Sequence, residues 1–81
     1  MHDITIYEIM ELAMNGSSYR GISIWCDRYT AGISVSFSRI NEINSDMFDF
    51  PVKSIEVDAS NPGYLGVCVY DDDYEEIWTY T

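Results

Sequence analysis

Residues 33–38 read Ile33-Ser34-Val35-Ser36-Phe37-Ser38, an unbroken alternation of apolar and hydroxyl side chains. Successive side chains of a β-strand leave on opposite faces, so this stretch reads as a half-buried strand. Ile33, Val35 and Phe37 then face the core, and the three serines face water or a partner. Working back, residues 20–26 alternate in the same way, with Ile22, Ile24 and Cys26 on one side, and residues 27–32 make the turn between the two. Working forward, residues 41–50 lack period two and end at Pro51. They read as a loop with at most one helical turn, pinned by Met47, Phe48 and Phe50. Residues 52–58 are a third strand, with Ile55 and Val57 its most apolar positions. Ala59-Ser60-Asn61-Pro62-Gly63 is a turn signal. Residues 64–70 are a fourth strand with Leu65, Val67 and Val69 inward. Residues 71–74 read as a polar connection and 75–80 as a fifth strand.

Ahead of the strands the period is different. In residues 5–14, Ile6, Ile9, Met10, Ala13 and Met14 fall on one stripe of an α-helix, with Glu8 and Glu11 opposite. Thr5-Ile6-Tyr7-Glu8 fits a capping box in which hydroxyl and carboxylate cap each other's backbone N–H groups. Asp3 is a rival cap, and Asn15-Gly16 supplies the stop. The expectation is one α+β domain spanning residues 1–81. Its single N-terminal helix packs on a four- to five-stranded antiparallel meander.

Hydrophobic residues make up 47% of the 81 residues and aromatics 15%, more than an acidic disordered tail contains, so the chain is expected to fold. Its net charge is −10, and the charge is not evenly spread. Up to Ile40, Asp3, Glu8, Glu11 and Asp27 oppose Arg20, Arg28 and Arg39, a net of −1. Beyond it, Glu42, Asp46, Asp49, Glu56, Asp58, Asp71, Asp72, Asp73, Glu75 and Glu76 oppose Lys53 alone, a net of −9. Crowded like charges repel within a Debye length of ~8 Å and cost stability. Such a concentration reads as functional in preference to a solubility device. It excludes direct nucleic-acid binding, which Lys and Arg drive by displacing counterions. No apolar run approaches the ~20 residues of a membrane-spanning helix. The start, Met1-His2-Asp3-Ile4-Thr5, does not read as a signal peptide.

The residues that carry chemistry elsewhere are sparse. His2 is the sole histidine, and neither Cys26 nor Cys68 has a neighbouring base. Both thiols are expected free and buried, in a cytoplasmic setting, although their spacing leaves one disulfide open. The 71–76 run places five carboxylates in six positions. It lacks the alternating acids, central Gly and distal Glu of a calcium loop, so only adventitious cation binding is expected. The chain therefore reads as a non-enzyme with no cofactor and no metal site.

What remains is acid beside aromatic. Seven tyrosines accompany the acids, and aromatics are enriched where proteins bind proteins. Glu56 and Asp58 lie on one face of a strand about 6.7 Å apart, a spacing suited to a groove built for a nucleic-acid backbone. In the 71–76 run and the Glu56/Asp58 pair, the chain resembles phage-encoded inhibitors of host defence nucleases. These are the anti-CRISPR and anti-restriction proteins, several of which act as DNA mimics. The resemblance implies host-defence evasion in the host-cell cytoplasm by a monomer or homodimer. It also implies a basic partner protein, such as a CRISPR effector nuclease or a restriction enzyme. The partner-binding surface expected on that basis comprises Tyr70, Asp71, Asp72, Asp73, Tyr74, Glu75 and Glu76, with Glu56 and Asp58. Two rival expectations are an immunity or antitoxin-like protein that neutralises a basic toxin, and a small calcium-binding or structural module.

Overall fold

The computed structural model describes residues 3–16, 18–29, 32–57 and 62–80. Helix α1 (Ile6–Gly16) is followed by strands β1 (Gly21–Trp25) and β2 (Ile33–Ser36). Two 3-10 helices come next, Phe37–Glu42 and Ser45–Asp49, then β3 (Val52–Val57), β4 (Tyr64–Val69) and helix α2 (Asp71–Thr79). The fold is α+β, with an N-terminal helix and a four-stranded sheet of order β2-β1-β4-β3.

The sheet is mixed and is not a meander. β1 pairs antiparallel with β2 but parallel with β4, with Ile22 opposite Leu65 and Ile24 opposite Val67. β3 and β4 are antiparallel, with a bulge between Val52 and Ser54. The reason lies in side-chain character. Val67, Cys68 and Val69 are buried on both faces of the sheet, and so are Ile22, Ser23 and Ile24. A strand buried on both faces needs a neighbour on each side, so β1 and β4 take the centre. The alternating β2 and the Lys-bearing, bulged β3 are left as edges, which suits them to water.

Register gives the core its composition. Ile22, Ile24, Cys26, Ile33, Val35, Val67 and Val69 share one face and one hydrophobic cluster. Ile6, Ile9 and Met10 of α1, Met47 and Phe48 of the second 3-10 helix, and Tyr74 and Ile77 of α2 complete that cluster. The opposite face is lined by Ser23, Ser34, Ser36, Gly66 and Cys68. Gly66 has no freedom to grow there: a Cβ would stand 2.7 Å from the Glu56 carbonyl oxygen and 3.4 Å from the Trp25 indole nitrogen. At Gly21 a Cβ would land on the Val35 carbonyl oxygen.

Several expectations are corrected. The 75–80 segment is not a fifth strand and 71–74 is not a connection, because both belong to α2. Phe37 does not extend β2. It starts a 3-10 helix and is half-buried against the core. Met14 leaves the α1 stripe for solvent, and Ile55, although paired with Val67, is half exposed on the rim strand. Asp58 lies outside the described residues, as do His2 and most of the 59–63 turn.

The capping box is present. The Glu8 backbone N–H donates to Thr5 Oγ1 at 3.3 Å, and the Thr5 N–H donates to Glu8 Oε1 at 3.3 Å. Thr5 also bridges to Pro51, and the Ile6 N–H donates to the Phe50 carbonyl, so the cap fixes α1 to the start of β3. Thr5→Ala is expected to lower the unfolding free energy by about 1 kcal/mol, the usual cost of a lost N-cap. Urea titration checks this, with Asp3→Ala as the near-silent comparison.

Candidate acidic site on the second helix

Topology brings three separated stretches to one end of the sheet. α2 starts directly after β4, at Tyr70. Because β1 runs parallel to β4, residues 26–29 emerge at the same end. Because β3 runs antiparallel, its start at Val52 and Lys53 arrives there too. Asp27, Arg28, Tyr29 and Lys53 therefore stand beside the acids of α2, a neighbourhood that no local sequence pattern announces.

The α2 sequence explains its own placement. Tyr74 and Ile77, three apart, point into the core. Asp71, Asp72 and Asp73 fill the first turn, where the helix dipole presents partial positive charge. At 100° per residue, Asp72, Glu75 and Glu76 fall on the outer face, opposite Ile77. The Asp72 side chain is 98% exposed.

One cation stands within this group. Arg28 approaches Glu75 Oε1 at 3.6 Å through Nη1, Asp72 Oδ1 at 3.8 Å through Nη2, and Asp71 Oδ2 at 3.9 Å through Nε. These are ion-pair separations, too long for hydrogen bonds, at an exposed site where each contributes little. The Tyr29 hydroxyl donates to Glu75 Oε1 at 2.8 Å. That bond, first among its causes, pushes the phenol above its ordinary range, and the Tyr29 hydroxyl in turn is the main influence raising Arg28. Lys53 Nζ lies 2.6 Å from Asp27 Oδ2, and this hydrogen bond holds the ammonium above its usual range. Asp71 of α2 adds to that shift more weakly. Asp73 differs from its neighbours: burial first, then Glu76 and Asp72, push its carboxyl above the ordinary carboxylate range.

Of the expected surface, the structure brings together Tyr70, Asp71, Asp72, Asp73, Glu75 and Glu76 on α2 and its N-cap. Tyr70 is exposed there. Tyr74 is corrected: it is 5% exposed and belongs to the core, so it is not a free anchor. Glu56 is exposed but pairs with Gly66, three residues along β4 from Val69, or roughly 10 Å from the α2 end. It stands apart from the helix acids. The sequence reading left Arg28 and Tyr29 out of the surface. Its visible trace is the adjacency of a cation and a phenol just past a central strand.

The two cysteines are free and buried. Trp25 pairs with Cys68 and shares its face, whereas Cys26, one residue on, enters the core from the other face. Burial pushes the Cys68 thiol up, away from the reactive thiolate. Among the described residues no three His, Cys, Asp or Glu side chains converge as a metal ion would need, and no helix is long and apolar enough to cross a membrane. No family model matches the chain, no curated protein matches it, and no solved structure matches its fold.

Proposed function

We propose that this chain is an acidic inhibitor that occupies the basic nucleic-acid channel of a nuclease or other DNA-binding protein, in the anti-CRISPR or anti-restriction manner. The observation that carries the reading is the concentration of five carboxylates on the nine residues of α2, with Arg28 the one cation ion-paired to them among the described residues. On the outer face the helix rises 1.5 Å per residue, so Glu75 and Glu76 stand about 4.5 and 6 Å along the axis from Asp72. Phosphates of one DNA strand advance about 3.4 Å per nucleotide. A rigid helix seated on a sheet therefore offers negative charge at a density that a phosphate-binding groove accepts. It offers no base edges to read, so recognition rests on charge and shape. Attraction between the −9 half of the chain and a basic channel accelerates encounter, and salt weakens it.

The test is competition. A panel of CRISPR effector nucleases and restriction enzymes is assayed for DNA binding and cleavage at two salt concentrations, with the chain in excess. The expected result is an enzyme that loses DNA binding competitively and recovers it as salt rises. Undiminished DNA binding across the panel at low salt would overturn the reading.

A further inference from the structure

Beside the acids lies an apolar shelf. The rings of Tyr29 and Tyr74 are 5.6 Å apart and those of Tyr74 and Trp78 are 6.4 Å apart, so Tyr74 forms the floor between two flanking aromatics. Tyr29, Tyr74, Glu75 and Trp78 line an open depression of about 310 Å³. Trp78 is 57% exposed, a large cost in apolar surface for a residue one turn from the buried Tyr74. Glu75 stands at the rim. Tyr29 and Arg28 both meet its Oε1.

We propose that this shelf receives an arginine side chain of the partner, stacked on the Tyr29 and Trp78 rings and donating to the Glu75 carboxylate. Charge complementarity selects a cation, since Glu75 lines the depression and Asp71 and Asp72 gather with it around Arg28. Aromatic flanks select the planar guanidinium over the compact, strongly hydrated ammonium of lysine. From outside the depression, Arg28 already brings a guanidinium to within 3.6 Å of Glu75 Oε1. The inference rests on the inhibitor reading only for the source of that arginine. It adds a specific contact to what would otherwise be a diffuse field.

The experiment titrates the ¹⁵N-labelled chain with tetra-arginine and with tetra-lysine, peptides of equal charge, and follows the two tryptophan indole N–H signals. Trp25, on the other face of the sheet against Gly66, is the internal control. Tetra-arginine should move the Trp78 signal saturably, leave Trp25 in place, and bind several-fold more tightly than tetra-lysine. Trp78→Ala should weaken tetra-arginine about tenfold and bring it level with tetra-lysine, the loss typical of an anchoring contact. Glu75→Gln should reduce the same preference. Equal binding of the two peptides, or no loss of arginine binding in Trp78→Ala, overturns the shelf and leaves a diffuse acidic field only. A chain that prefers arginine but fails against every nuclease keeps the shelf and loses the inhibitor reading. One that competes with DNA and shows no arginine preference does the reverse.

Discussion

Tyr74→Ala is expected to remove about 3–5 kcal/mol of stability, the usual cost of truncating a buried aromatic. Tyr74 is 5% exposed and sits in the cluster that joins α2 to the sheet, next to the fully buried Ile77. Its ring also supports Tyr29 and Trp78. At roughly 0.05–0.15 kcal/mol per residue, a domain of this size has about 4–12 kcal/mol in total. The variant therefore loses most of its folded population or all of it. Trp78→Ala, on the same helix but exposed, should stay within about 1 kcal/mol of the native chain. Urea denaturation followed by near-ultraviolet dichroism separates the two. A native midpoint for Tyr74→Ala would mean that Tyr74 lies on the surface, as an extended 71–74 connection requires, and that α2 is misplaced.

That contrast locates what the sequence disclosed. α1 was legible because two independent signals agree on it, the apolar stripe of Ile6, Ile9, Met10 and Ala13 and the Thr5/Glu8 box; the expected Asn15-Gly16 stop instead lies inside the helix, which runs through Gly16. Strands β1 to β4 were legible from period two. Their order was not, because adjacency in sequence is only a tendency and pairing is decided at long range. One signal for the order was present. Residues 64–69 carry apolar side chains at Leu65, Val67, Cys68 and Val69, on both parities, and this marks a central strand. α2 was misread because Ile77, Trp78, Thr79 and Tyr80 suit a strand by propensity. Tyr70, Tyr74, Ile77 and Trp78 follow the i, i+4, i+7, i+8 stripe of a helix, and tertiary burial of Tyr74 and Ile77 decides between the two. The acids of the candidate site were visible in the chain. Their neighbours Arg28 and Tyr29 were not, since only the parallel pairing of β1 with β4 brings them near.

Replacing Asp71, Asp72 and Asp73 together by Asn separates what these acids do for the fold from what they do for a partner. In a turn, removing three like charges would leave the fold unharmed or relieve it slightly. In the first turn of α2 the outcome changes sign. Each carboxylate there interacts favourably with the helix dipole by about 0.3–1 kcal/mol, and Tyr70 makes no side-chain cap to replace that. Asp71 and Asp72 also face Arg28. Asp73 works against them: its folded-state pKa is raised, by burial first and then by Glu76 and Asp72. Its contribution to stability is complete below the unfolded carboxylate pKa and is lost as pH rises through the raised folded value. At pH 7 ionised Asp73 is a burden, which Asn removes. The triple variant should therefore lose about 1 kcal/mol net at pH 7 and low salt. Asp71→Asn alone should lower stability there, Asp73→Asn alone should hold or raise it, and the Asp73→Asn difference should fade in acid. Association with the basic partner should slow at low salt in the triple variant, with a flatter salt dependence. Tyr70→Ala should act on dissociation instead, as a contact felt only after encounter. Stopped-flow rates at two salt concentrations, taken on variants shown to be folded, measure both effects. A triple variant that has lost its 1 kcal/mol yet associates at the native rate and salt slope would assign the three aspartates to the helix end alone.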